Sequence, residues 1–218
     1  KLSATEVLKN KKLIDSNFIT YAQAHLYGEI REDMTSIIKV FIKSNISASK
    51  TDIREEYSYS KDSKEVDVSC GPLTYEIFVF LKDKRLYRSL NIVRKDMDEY
   101  LETFCGVKIY RDGFRILPFG DVDNDWLELN AQRTSSPEFR IATQNTIGIV
   151  YITRDKNPGL QDVLSRENMY ETPEFSSLKK FVNLGFDKYT ALQLRERKKK
   201  ERKIFSSSAS AEKPVQGC

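Results

Sequence analysis

An α+β fold is predicted for this chain of 218 residues, and three observations predict it. Short apolar runs rich in β-branched and aromatic residues stand at Leu73 to Leu81 and Thr146 to Thr153. Two alternating runs meet at an Asp-Gly pair between Val107 and Leu117. Stretches with helical spacing of apolar residues lie between these strands, at Arg94 to Thr103, and after them, from Pro173. Strand, helix, hairpin, short helix, strand, loop and helix follow one another, which is an α+β layout.

From Phe18 to Ile42 the residues Ile19, Ala22, Leu26, Ile30, Met34, Ile37 and Phe41 form one stripe at helical spacing, so a long helix is the first expectation. Tyr27-Gly28 and Glu32-Asp33 interrupt it, and LYGEI and SIIKVFI would both serve as strands, which leaves a hairpin as the alternative. Ser44 to Ser69 is rich in Ser, Lys, Asp and Glu with few apolar positions, and is expected to be a mobile connection. Leu73 to Leu81, LTYEIFVFL, is bounded by Gly71-Pro72 and Lys82-Asp83 and reads as a buried strand. Met97, Tyr100 and Leu101 mark a short helix leading into Cys105-Gly106.

VKIYRDGFRIL is a β-hairpin, because Asp112-Gly113 supplies the positive backbone angles of a tight turn. Asp121 to Gln132 turns from polar to amphipathic at Trp126, Leu127 and Leu129, with Asn124 or Asp125 available to cap a short helix. Thr146 to Thr153 is a second buried strand, where Gly148 allows close backbone approach. Pro173 and Glu174 open a last helix with an apolar face of Phe175, Leu178, Phe181 and Val182. The tail from Ser206 is of low complexity and is expected to be disordered. The expected division is a helical or mixed segment and linker at 1–69, an α+β domain at 70–186, and a basic helix end with tail at 187–218.

With 39% apolar and 11% aromatic residues the chain can bury a core. It starts at Lys1 without the layout of a signal peptide, as a fragment or processed chain would. No apolar run approaches the roughly 20 residues that cross a bilayer, so no membrane span is expected. Cys70, Cys105 and Cys218 lack metal-ligand spacing and fit a reducing, cytoplasmic setting. The single His25 lies among Ala, Leu and Tyr as a structural histidine would, and no histidine triad or zinc site can be assembled. The net charge of +4 is local: Arg195 to Lys203, RERKKKERK, carries +5, leaving the remainder near −1. That run is a solvated helix face or a contact for nucleic acid or another acidic partner.

Phosphate-cradling loops are absent from the sequence, which has neither G-x-x-x-x-G-K-[ST] nor G-x-G-x-x-G. Any contact to phosphate must therefore use side chains. Asp121, Asp123 and Asp125 alternate as calcium ligands do, but no bidentate glutamate or turn glycine comes after them at the right distance. Arg111, Arg115 and Arg133 with Asp112 and Asp125 form a further charged group, in which Arg115 is expected to pair with Asp125 or to contact the neighbouring domain.

Two stretches, GVKIYRDGFRILPFGDVDNDWLELNAQR at 106–133 and GIVYITRDKNPGLQDVLSRENMYETPEFSSLKKFV at 148–182, resemble the segment that follows the ATP-binding domain in the GHKL superfamily of gyrase, the ninety-kilodalton heat-shock chaperone, histidine kinases and MutL. The likeness covers Leu73 to Val182. It implies a ribosomal-protein-S-five-like transducer domain, a mixed sheet with helices on one face, packed against an N-terminal ATPase domain that holds ATP and Mg2+. This chain alone would then bind neither, and a homodimer is a further possibility the family allows. In the chaperone branch a loop bearing Ser-Arg-Glu sends its arginine to the γ-phosphate. Ser165-Arg166-Glu167 matches it, with Val163 where the chaperone has asparagine. Arg166 is thus the expected catalytic, phosphate-sensing residue, and Arg166, Gln161 and Arg154 are the expected nucleotide contacts, with Lys156 beside them. A guanidinium suits the role because its planar donors match phosphate oxygens in pairs.

Overall fold

The computed structural model describes residues 16–44, 51–81, 87–88, 91–136, 141–161, 163 and 168–211. The strands are β1 (Ala24–Ile30), β2 (Ser36–Ile42), β3 (Ile53–Tyr59), β4 (Leu73–Val79), β5 (Gly106–Arg111), β6 (Phe114–Ile116) and β7 (Thr146–Ile152). The helices are α1 (Ser16–Ile19), α2 (Arg94–Phe104), α3 (Leu129–Ser135), a 3-10 turn at Thr143–Asn145, and α4 (Pro173–Ala211). All seven strands form one sheet in the order β3-β2-β1-β4-β7-β5-β6. Every neighbouring pair is antiparallel except β5 with β7, which is parallel, so the sheet is mixed as expected of this α+β chain.

Alternation along β4 sorts the molecule into two faces. Leu73, Tyr75, Ile77 and Val79 point one way and join Leu26, Ile38, Val107, Ile109 and Val150 beneath α4, whose Phe175, Phe181, Phe186, Tyr189 and Leu192 complete that core. Phe78 and Phe80 point the other way and join Ile147, Ile149 and Tyr110 beneath Met97, Tyr100 and Leu101 of α2. Each such side chain contributes about 1.5–3 kcal/mol relative to an exposed position. Tyr75 is wholly buried at the centre of the first face. A methyl group on Gly28 of β1 would overlap its ring and one on Gly185 of α4 its hydroxyl, so both glycines leave space for it. Phe181 meets the same ring edge-on at 5.6 Å.

Turn chemistry closes the elements. Asp112 (φ 51°) and Gly113 (φ 86°) form the two-residue β5–β6 turn with both backbones in the left-handed region. Thr172 caps α4, its hydroxyl accepting the Phe175 N–H at 3.1 Å. Asp125 serves the first turn of α3, accepting the N–H groups of Leu129 and Asn130 at 2.9 and 2.8 Å.

Several expectations are corrected. Phe18 to Ile42 is not one helix: β1 and β2 form a hairpin, with Ala24 opposite Ile42 and Ile30 opposite Ser36. The polar stretch Ser44 to Ser69 contains β3, paired along its whole length with β2, so strands from both sides of residue 69 share one sheet and one core. Helices do not share one face, since α2 and α4 lie on opposite sides. The final helix continues past Ser206 to Ala211, and residues 212–218 of the expected disordered tail lie outside the described residues. Arg115 pairs with Asp121 rather than Asp125, which the α3 backbone and the Thr143 hydroxyl occupy.

Gly28→Ala is expected to lower stability by about 1–3 kcal/mol through overpacking against Tyr75. Tyr75→Phe should raise it by about 1–3 kcal/mol, because the buried hydroxyl has no hydrogen-bond partner among the described residues. Urea unfolding of both variants checks this, and equal losses would contradict it. At the far end of the core, Leu192 is 2% exposed, and Leu192→Ala should cost about 2–5 kcal/mol. Removing residues 197–218 should leave the unfolding free energy within about 0.5 kcal/mol.

Candidate functional site

One end of the sheet gathers Arg111, Asp112, Arg154, Lys156 and Gln161 from among the residues singled out by sequence. There β7 leaves the sheet at Ile152, the β5–β6 hairpin turns at Asp112-Gly113, the chain enters β4 through Gly71-Pro72, and β1 turns into β2. The organising side chain is Asn157, 1% exposed. Its Oδ1 accepts the Thr153 N–H at 2.9 Å, and its Nδ2 donates to the Cys70 and Pro72 carbonyls at 2.7 and 3.0 Å. Its own N–H donates to the Thr153 carbonyl at 3.1 Å, and its carbonyl accepts the Leu160 N–H at 3.1 Å. Gly71, at φ 82°, lies so close to the Lys156 carbonyl that a side chain there would collide with it. The loop after β7 is therefore fixed at its base to the entry of β4.

The hairpin tip braces the same loop. Arg111 is buried and donates to the Leu160 carbonyl. The Asp112 N–H donates to the Ile152 carbonyl at 3.2 Å, while the Asp112 carboxylate accepts the Arg154 N–H at 3.2 Å. Lys156 pairs with Glu32 in the β1–β2 turn. Beyond Leu160 the chain returns on itself: the Gln161 carbonyl accepts the Tyr170 N–H, and the Val163 N–H donates to the Asn168 carbonyl, both at 3.0 Å.

Of the expected contacts, Arg154 is exposed at the rim beside Asp112, and Gln161 is exposed where the returning segment starts. Arg166 lies outside the described residues, between the paired Val163 and Asn168. Arg115 and Asp121 pair elsewhere, near Phe119, whose carbonyl Arg115 also reaches at 3.3 Å. Sequence reasoning gave Arg111 no settled role and missed Asn157 entirely. The signal for Asn157 was its place before Pro158-Gly159, since asparagine hydrogen-bonds nearby backbone where a chain must turn.

Other titratable groups are engaged in structure. Burial, with Arg115 nearby, draws the Lys108 ammonium down to about 8 while it donates to the Phe104 and Cys105 carbonyls at the end of α2. Burial pushes the Cys70 thiol up to about 11. In the basic run, Arg195 bonds Glu55 and Lys199 bonds Glu196 at 2.7 Å, whereas Arg197, Lys198 and Arg202 are exposed. Among the described residues no three of His, Cys, Asp and Glu come together as metal ligands, and no helix is long and apolar enough to cross a membrane.

A groove of about 670 Å³ lies on the sheet face beside α2, lined by β1, β2 and β3. His25 stacks on Phe78 at 4.6 Å with its Nε2 2.9 Å from the Glu76 carboxylate. Lys39 pairs with Glu56 at 3.1 Å, and Arg54 lies 5.1 Å above the Phe41 ring. Burial, then the neighbouring Glu29, raises the Tyr27 hydroxyl to about 12, and that hydroxyl donates to Glu29 at 3.2 Å. The groove thus holds charges of both signs in pairs, while the Asn157 end presents Arg154 on a braced loop.

Asn157→Ala should cost about 2–4 kcal/mol, since it strands the Thr153 N–H and the Cys70 and Pro72 carbonyls. It should also speed amide exchange at 153–160 more than in α2. Uniform acceleration across both regions would contradict the anchoring role.

Comparison of the chain with models of known protein families, with curated proteins and with solved structures finds no match.

Proposed function

We propose that the chain is the transducer part of a GHKL-type ATPase, in which Arg166 reads the γ-phosphate of a nucleotide held by a separate N-terminal domain. The observation that carries this reading is the convergence of the loop after β7, the β5–β6 tip and the entry to β4 on one braced end of the sheet. Those first two segments are the ones that carry the sequence resemblance. Gln161 and Arg154 flank the role, the first by fixing where the returning segment starts and the second at the rim. ATP and Mg2+ would belong to the other domain and supply the phosphoryl chemistry there. This chain would contribute side-chain charge alone.

The physical logic is one of stiffness. A guanidinium on a loose loop would meet a phosphate without moving anything else. Because the chain leading to Arg166 is tied to β4 and β5 at 153–160, the same contact would draw the whole sheet toward the nucleotide, and occupancy of the γ-phosphate would become domain closure. The alternative of an adaptor binding acidic partners through Arg195 to Lys203 has less free charge to work with than the count of +5 suggests, because Arg195 already has a carboxylate partner outside the run, Glu55.

In the full-length protein, Arg166→Ala should leave nucleotide affinity unchanged while slowing hydrolysis by roughly 30-fold to 1000-fold, the worth of a charge-assisted contact made chiefly in the transition state. Lysine should restore part of the rate, keeping charge but not paired geometry. The chain of 218 residues alone should show no calorimetric ATP binding and no turnover. Micromolar binding with turnover by this chain, or a parental rate in Arg166→Ala, would overturn the proposal.

A further inference from the structure

The sheet has two outer strands, and they differ. β6 has three residues, whereas β3 has seven, IREEYSY, with no proline, glycine or lysine. Natural edges are commonly blunted by such residues, by charged or inward-pointing side chains, or by a covering element; the charges of β3 are Arg54, Glu55 and Glu56, and the helix-facing one, Glu55, is held by Arg195. No residue of β3 is buried, and among the described residues no strand pairs with its outer side.

The register fixes which peptide groups face outward. At the β1–β2 turn the Arg31 N–H donates to the Thr35 carbonyl, and at the other end the Lys43 N–H donates to the Gln23 carbonyl, both at 2.9 Å. These bonds put the odd-numbered residues of β2 in the hydrogen-bonded pairs with β1. Even-numbered residues of β2 therefore turn toward β3, where they face Ile53, Glu55, Tyr57 and Tyr59. The N–H and C=O groups of Arg54, Glu56 and Ser58 consequently point away from the sheet.

We infer that β3 is a pairing edge for a second copy of this chain, joined antiparallel about a two-fold axis at Glu55. Side chains opposite one another must share a face, which leaves few registers. Placing Glu56 opposite itself or Arg54 opposite itself sets like charges together. Placing Glu55 on the axis sets each Arg54 opposite the other copy's Glu56, and each Ile53 opposite the other copy's Tyr57. The outward peptide groups of Arg54 and Glu56 then exchange four backbone hydrogen bonds. The central Glu55 tolerates its own image because it is already bound by Arg195 and by the Tyr57 hydroxyl at 2.7 Å. Although burial alone would raise its carboxyl, those bonds and the charges of Arg195 and Lys199 hold it below the usual range. Both seven-stranded sheets become one continuous sheet, and the two grooves beside Arg54 and Glu56 become neighbours across the axis. This inference is independent of the ATPase reading.

Sedimentation equilibrium of the whole chain from micromolar to millimolar concentration tests it. The parent should form a concentration-dependent dimer. Arg54→Glu and Glu56→Arg should each self-associate at least tenfold more weakly, and an equimolar mixture of the two should recover dimer, because opposite charges then face each other at both positions. Glu56→Pro removes only an outward N–H and should be monomeric with an unchanged circular dichroism spectrum. If proline disrupts the strand, the charge-swapped mixture still decides the matter. A parent monomeric throughout would leave the edge to a foreign strand and overturn the inference. So would a dimer indifferent to all three substitutions, or single variants that weaken but do not recover on mixing.

Discussion

Tyr75 is the constraint on which the arrangement depends. Its phenol side chain lies at the centre of the sheet between β1 and α4, each of which presents a glycine to it. Because interiors are close-packed, a ring of that size either keeps α4 away from the sheet or finds space in both neighbours. Here it finds space, and the helix comes close enough for Phe181, Phe186 and Tyr189 to be almost fully buried. The closeness then sets contacts well away from the ring. Ser177, wholly buried one turn above Phe181, donates to the Asp67 carbonyl at 2.8 Å and accepts the Cys70 N–H at 3.3 Å. Cys70 in turn offers its carbonyl to Asn157. The seating of α4 and the bracing of the loop after β7 are thus parts of one connected structure.

Three buried polar side chains act on backbone: Asn157, Arg111 and Ser177 each hold carbonyls or N–H groups that no strand or helix satisfies, whereas buried Glu76 and Glu196 pair with the side chains of His25 and Lys199. Those at the surface pair side chain to side chain, as Lys39 does with Glu56 and Lys156 with Glu32, and such exposed pairs add little stability. Rigidity at the candidate site therefore comes from neutral hydrogen bonds and from one buried guanidinium.

Local chemistry was legible wherever it was self-sufficient. Asp112-Gly113, LTYEIFVFL and the Met97, Tyr100 and Leu101 face each carry their own signal, and each became the expected element. The hairpin at 24–42 was obscured because its turn uses Met34 at φ 62° and an Asp33 carboxylate that accepts the Thr35 N–H and hydroxyl, without a glycine to announce it. Its apolar stripe was also a composite, since Leu26 and Ile30 face α4 while Phe41 faces the groove. β3 was missed for a nonlocal reason: Glu55 lies on the helix-facing side of a strand, and what makes that tolerable is Arg195, 140 residues later. At the site, Arg154 and Gln161 were singled out through the sequence resemblance, and both are exposed. Asn157 was not, because its carbonyl partners come from a segment some 87 residues earlier.

α4 has one more implication. Its 39 residues amount to about 58 Å of helix, whereas a strand of this sheet spans about 24 Å. Core residues continue as far as Leu192, and among the residues whose burial is described Glu196 is the last buried one along it. Beyond Glu196 the helix runs on for 15 residues, Arg197 to Ala211, about 22 Å. An arm of that length turns a tilt of about ten degrees at the sheet into about 4 Å of travel at its tip, so small motions of the domain become large ones at a distance.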